Sequence, residues 1–257
     1  MQGSDDDEGG GKKRTNPVAV VVILVLVVAL IGGGGFFGYK LLKSQNSANT
    51  TQNNPPTIVT PTGTPLFGDR FQDNKAGWDL TQPAGAKITL ANGALVLESD
   101  NNKLFPELLP GGKTFSDFRL DVDAGLTSGN INNGYGVYIR GASTQNSNLG
   151  LYYRFEVYGD GSFVIYKGTQ DANGNSQSTS MKQSPPNNAI AHEGQLNHLT
   201  IIAKGQQMTF IVNTTTVATF TDNSYKSGIV ALFVSNVLNV APGAQATFKN
   251  LAIFPAS

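Results

Sequence analysis

The 257 residues contain no cysteine. That excludes a disulfide framework, thiolate metal sites and a cysteine nucleophile, and leaves the redox compartment open. Charge is scarce as well: 14% of residues are charged and the formal net charge is zero, so nothing neutralises phosphates and nucleic acid is not an expected partner. The only histidines are His192 and His198, too few for an imidazole-built zinc site. No Gly-x-Ser-x-Gly occurs, which removes the usual signal for serine-triad hydrolysis. After Leu66 no helix-length window carries a strong helical stripe.

What is present begins with a long apolar run. Residues 1–16 are glycine-rich and charged, have too little apolar material to pack, and end in Lys12, Lys13 and Arg14. From Val18 to Tyr39 there are 22 residues without a charge. At about 1.5 Å per residue they would extend roughly 33 Å, enough to cross a hydrocarbon core. We therefore expect a single transmembrane helix over 17–40, with the N-terminus inside and Tyr39, Lys40 and Lys43 at the interface. A cleaved signal peptide is the alternative, and either reading exports the rest of the chain. The four glycines at 32–35 fall inside this span, where small residues permit helix contact, so they are not a phosphate loop. Residues 41–65 are rich in Ser, Thr, Asn, Gln and Pro and read as a stalk, leaving 66–257 as an extracytoplasmic domain on a cell-membrane anchor. Asn49 and Asn213 both stand in Asn-Thr-Thr and match glycosylation acceptors.

Beyond Leu66 short β-branched and aromatic runs alternate with Gly, Asn, Asp and Pro. Expected strands are 86–90 and 94–98 around an Asn92-Gly93 turn, 115–123, 134–140, 149–158, 162–167 after Gly159-Asp160-Gly161, 196–204, 208–212, 216–221, 229–234 and 245–254. So many strands suit two packed sheets better than one open sheet. Side-chain parity then separates core from surface. Phe118, Leu120 and Val122 face in while Arg119, Asp121 and Asp123 face out. Tyr153, Phe155 and Val157 oppose Tyr152, Arg154, Glu156 and Tyr158, and Val137 and Ile139 oppose Tyr138 and Arg140. One sheet face is thus expected to carry Tyr138, Arg140, Tyr152, Arg154, Glu156 and Tyr158.

The opening Leu66-Phe67-Gly68-Asp69-Arg70-Phe71-Gln72-Asp73-Asn74 with Gly77-Trp78, then Gly134 to Arg140, then Tyr152 to Ser162, resemble concanavalin A-like jelly-roll domains of bacterial surface proteins. The closing Val212-Asn213, Thr221-Asp222, Tyr225, Ser227 to Leu232 and Phe248 to Leu251 resemble the same domains. The chain looks most like their laminin-G-like and 3-keto-disaccharide hydrolase branch, over nearly all of residues 66 to 255. One departure is Thr214, where such domains usually place the glycine of an Asn-Gly turn. The resemblance implies an all-β, two-sheet antiparallel jelly-roll sandwich and, as a family habit, sugar ligands; fold alone does not license function.

On that face tyrosines could stack on a sugar ring while Arg and Glu bond its hydroxyls, and cross-strand pairing of the same residues is the plain structural alternative. Asp121 and Asp123 share a face at roughly 6.5 Å, a separation that suits paired acid and base carboxylates. The glucanase pattern of two glutamates flanking an aspartate is absent, so binding is favoured over catalysis. Asp171, Asn173 and Asn175 have the spacing of a calcium loop, but Lys182 stands where the bidentate glutamate belongs. No cofactor is expected; structural calcium elsewhere in the sandwich stays open by the resemblance. Trp78, early in the domain, reads as a core residue. The expected function is glycan or cell-envelope polymer recognition by an exported, membrane-anchored domain. The rivals are a glycoside-active enzyme and a structural or sensory ectodomain with a protein partner.

Overall fold

The computed structural model describes residues 61, 63–100, 102–144, 147–236 and 243–256. The expected tail, membrane span and most of the stalk, with Asn49, lie outside these residues. Among the described residues no helix is long and apolar enough to cross a membrane.

The described residues form fourteen strands: β1 (Phe67–Asp69), β2 (Ala86–Ala91), β3 (Ala94–Ser99), β4 (Leu104–Leu108), β5 (Phe118–Ser128), β6 (Gly134–Thr144), β7 (Ser147–Tyr158), β8 (Phe163–Gln170), β9 (Ser176–Ser184), β10 (Asn197–Lys204), β11 (Gln207–Val212), β12 (Thr215–Thr221), β13 (Ile229–Ser235) and β14 (Ala244–Pro255). One sheet of eight strands runs β12-β11-β10-β5-β14-β3-β2, with β1 added on β14, and one of six runs β4-β13-β6-β7-β8-β9. The result is a two-sheet antiparallel sandwich of jelly-roll type.

Period-two alternation builds the interior. Phe118, Leu120, Val122 and Ala124 of β5 are fully buried, as are Leu199 and Ile201 of β10 and Phe210 of β11. From the other sheet Val137, Ile139, Tyr153, Phe155 and Val157 meet them in one cluster. Each of the larger side chains among these contributes about 2 kcal/mol by leaving water. Trp78 joins this core, its indole Nε1 donating to Asp69 Oδ2 at 2.7 Å and its ring packed near Phe67 and Phe71.

Three strands, β1, β4 and β9, were not among those expected. β9 is exposed along nearly its whole length and pairs only with β8, so it shows no apolar alternation. β4 contains Pro106, tolerated because β4 lies at the sheet edge beside β13 alone.

Turn chemistry sets two hairpins. Asn92 and Gly93 both take positive φ, 55° and 70°, as the β2–β3 turn requires. Asn213 and Thr214 do the same between β11 and β12, at 46° and 77°. A β-branched residue is strained there by about 1 kcal/mol or more. Asn213 holds the turn: its backbone N–H donates to His198 O at 2.9 Å, its Oδ1 accepts from His198 N at 2.8 Å, and its Nδ2 donates to Ala189 O at 3.0 Å and to Asn197 Oδ1 at 2.6 Å. That amide nitrogen is the atom a glycan would need, and both of its hydrogens are already donated. Thr214→Gly should raise stability by about 0.5–1 kcal/mol, seen as a higher denaturant midpoint at unchanged slope. A midpoint that falls would show that the threonine side chain contributes more than its strain removes.

Candidate functional site

The candidate site is the outer face of the six-stranded sheet. Register places Ala231, Tyr138, Arg154, Tyr166 and Ser180 in one row across β13, β6, β7, β8 and β9, with Phe233, Gly136, Glu156 and Val164 in the next. Tyr152 and Tyr158 lie on the same side of β7 as Arg154. The rings are closely packed rather than displayed: Tyr138 and Tyr152 are only 4% and 6% exposed. Tyr138 meets Tyr152 at 4.7 Å and Phe233 at 5.1 Å, both edge-on. The face is therefore a second small apolar cluster, with a charged pair at its centre, and not an open stacking platform.

Arg154 organises that centre. Its Nη2 pairs with Glu156 Oε2 at 2.9 Å, its Nη1 donates to Tyr138 OH at 3.1 Å, and its guanidinium lies 4.3 Å from the Tyr166 ring centroid. Ser235 Oγ donates to Glu156 Oε1 at 2.5 Å while accepting from Gly134 N at 3.1 Å. Two glycines make room. A Cβ on Gly134 would stand 2.6 Å from Glu156 Oε1, and one on Gly168 would stand 2.3 Å from the Tyr152 ring. Burial pushes the Tyr138, Tyr158 and Tyr166 hydroxyls above the usual phenol range, so they remain protonated near neutral pH. Burial works against the Arg154 charge, but Glu156 and the tyrosines outweigh it and hold the guanidinium protonated. One donor is left over: Arg154 Nε is buried with no hydrogen-bond partner among the described residues.

Beside Tyr138 the face opens into a shallow groove of about 320 Å³, lined by Leu104, Pro106, Leu108, Tyr138, Ser147 and Leu149.

Arg140 does not belong to this site, a correction to the parity argument. A bulge shifts the β6–β7 register between Ile139 and Ala142, and Arg140 adopts φ 49°. Its fully buried guanidinium instead donates to Ser116 O at 2.9 Å and Tyr225 O at 3.1 Å and pairs with Asp117 Oδ1 at 3.4 Å. It fastens two loops. Tyr166, Ser235 and the β4 groove wall were the residues that sequence reasoning missed. Counting back from the Gly159-Asp160-Gly161 turn would have set Tyr166 opposite Arg154.

Asp121 and Asp123 point out of the eight-stranded sheet with every strong contact internal. Asp121 accepts from Arg119 Nε at 2.8 Å and Thr200 Oγ1 at 2.6 Å, Asp123 accepts from Asn250 Nδ2 at 2.8 Å, and His198 bridges the two, 3.5 Å from Asp121 and 2.7 Å from Asp123. Asp171, Asn173 and Asn175 form the β8–β9 turn. There Asp171 Oδ1 accepts the backbone N–H of Asn173 and of Asn175, each at 2.9 Å, so the carboxylate closes its own loop.

The profile of a family described as "3-keto-alpha-glucoside-1,2-lyase-like domain" matches residues 63–253. No curated protein matches the sequence significantly. Among solved structures the chain is similar to a protein of unknown function with a galectin-like fold from Bacillus subtilis (TM-score 0.56, 10% identity, 75% of this chain and 96% of that one). It is also similar to a protein from work on endo-acting O-glycanases of the human gut microbiota (0.53, 12%, 76% and 100%). A third is a LamA variant from Zobellia galactanivorans in complex with laminaritriose and laminaritetraose (0.50, 11%, 74% and 98%). At these identities the likeness is one of fold.

Two outcomes follow from the paired groups. Asp121 and Asp123 raise His198 to about 9; for Asp121, burial is outweighed by His198, Arg119 and Thr200, which hold it at about 2. His198 thus stabilises fully below pH 6.5 and loses its effect as pH rises toward 9, whereas Asp121 stabilises above pH 3.8 and loses its effect as pH falls toward 2. Stability should peak between these limits. With a ring 44% exposed, the alkaline decline is about 1 kcal/mol; His198→Gln should flatten it, and an unchanged alkaline limb would refute the pairing. Arg140→Met should cost roughly 2–4 kcal/mol in urea unfolding, because it leaves two loop carbonyls without their donors. A loss below about 1 kcal/mol would show that the fastening is dispensable.

Proposed function

The chain belongs to the 3-keto-alpha-glucoside-1,2-lyase-like domain family, and from that membership and the geometry of the six-stranded sheet we propose a carbohydrate-binding protein. Its ligand lies over Tyr138, Tyr152, Arg154, Glu156, Tyr158 and Tyr166. One observation carries this reading: Arg154 is fixed by Glu156 and Tyr138, yet its Nε has no acceptor among the described residues. A buried donor left unpaired costs about 1–3 kcal/mol, and a ligand oxygen would relieve it once the rings packed around the guanidinium move aside. The phenol hydroxyls donate and accept, the guanidinium donates and the carboxylate accepts. This alternation matches the neighbouring hydroxyls of a sugar better than it matches a charged or wholly apolar ligand. We infer further that residues 17–40 anchor the chain in a membrane and that 66–257 stands outside on the 41–65 stalk. The support is the uncharged run from Val18 to Tyr39 and the polar, proline-containing segment after it.

Glycoside turnover is the second reading, and the family's description favours it. Against it, Glu156 is the one carboxylate among the described residues of this face, where glycoside hydrolysis ordinarily uses a pair.

The test is a panel of neutral and acidic glycans titrated by calorimetry against the full-length protein. At least one neutral glycan should bind, Arg154→Met should abolish that binding, and Tyr138→Phe should weaken it about tenfold at unchanged melting temperature. The proposal is refuted by a silent panel, or by an Arg154→Met variant that is folded and binds normally. Turnover of 3-keto-glucosides that disappears in Glu156→Gln would move the assignment to an enzyme.

A further inference from the structure

The groove beside Tyr138 differs in chemistry from the polar centre it adjoins. Four of its six lining residues are Leu104, Pro106, Leu108 and Leu149. Leu108 is 37% exposed, so apolar surface there remains in contact with water. Behind the wall Ala231, Phe233 and Ile229 continue the same apolar cluster into the sheet. Tyr138 is the hinge between the two chemistries: its ring lines the groove, and its hydroxyl accepts from Arg154 at 3.1 Å. Among the described lining residues the one titratable side chain is that phenol, kept neutral by burial, and the Arg154 charge beside it is balanced by Glu156. An ionic occupant would have no charged partner among those described residues. A groove of about 320 Å³ is at the small end of the range for small-molecule sites and accepts one compact ligand group.

We propose that this groove takes the apolar aglycone of a neutral glycoside, an aryl or short alkyl group, while the sugar lies over Arg154 and Glu156. The assignment rests on the sugar-binding reading of that face and adds the ligand class. A ligand so placed crosses Tyr138 at its glycosidic linkage. Sugar hydroxyls meet the guanidinium, carboxylate and phenols on one side, and the aglycone covers the leucines and Pro106 on the other.

The experiment compares matched methyl and phenyl glycosides of common neutral sugars, titrated against the full chain solubilised without a glycosidic detergent. Phenyl glycosides should bind about tenfold more tightly than their methyl counterparts. Leu108→Asp, at an exposed edge position, should remove that advantage while leaving methyl-glycoside affinity within about twofold. Leu104→Asn serves as a second variant, and melting temperatures confirm that both are folded. Equal affinity for the two series overturns the aglycone assignment and leaves the sugar site standing. Binding of neither series overturns the sugar site itself. A phenyl advantage that survives in both folded variants shows that the apolar group sits elsewhere, which also overturns the assignment.

Discussion

Arg154 stands in the middle of a sheet whose two faces are both largely closed to water, and that closure dictates much of what surrounds it. A guanidinium removed from solvent has to be matched by a carboxylate and by acceptors of fixed geometry, or the strand that carries it cannot remain in the sheet. Glu156 supplies the charge from two positions along β7, Tyr138 supplies an acceptor from the neighbouring strand, and Tyr166 supplies a ring face. The match extends one step further, since Glu156 is itself held by Ser235. Gly134 and Gly168 are where the adjoining strands give up a side chain so that Glu156 and Tyr152 fit over them.

The eight-stranded sheet solves a similar problem under milder conditions. Asp121 and Asp123 face outward, but their partners Arg119, Thr200, His198 and Asn250 come from β5, β10 and β14, so the pairs lock three adjacent strands in register. At the sandwich margin Lys167 pairs with Asp222, which also accepts from the Tyr153 hydroxyl. A chain with few charges has placed several of them where they bind one element to another. The two networks differ: the carboxylates around His198 are held by neighbouring strands, whereas around Arg154 one donor has no partner among the described residues.

Much of this was readable in the sequence. Alternation in Phe118 to Asp123 and in Tyr152 to Tyr158 separates the side chains of the main core from those of the opposite face correctly, because long central strands meet a continuous interior on one face. The same rule fails at Arg140, where a left-handed residue inserts a bulge and reverses the phase; nothing in Tyr138-Ile139-Arg140-Gly141 announces it. It fails again for β9, whose Ser, Gln and Thr residues bury almost nothing and so carry no period. Parity also says which way a side chain points without saying whether that direction is open. The tyrosines expected as exposed platforms instead pack against one another and against Phe233 of β13, a strand distant in sequence from all of them. The groove was illegible for the same reason: its wall comes from β4, too short and too interrupted by proline to register as a strand.

The position of that wall follows from the need to end a sheet safely. An open sandwich has four edges, and an unblunted edge invites another chain to pair. Here β2 carries Lys87, β9 carries Lys182 and a register shift, β12 carries a register shift, and β4 carries Pro106. Proline has no N–H to offer an incoming strand, so the six-stranded sheet stops at β4. The ring that ends the sheet also lines the groove, joining Leu104 and Leu108 from the same strand. A binding surface beside a blunted edge stays reachable from the side, whereas the same residues in mid-sheet would be packed over as Tyr138 and Phe233 are. The opening of an apolar groove where the β4 edge adjoins Tyr138 of β6 and Leu149 of β7 is thus a consequence of how this sandwich terminates its hydrogen bonding.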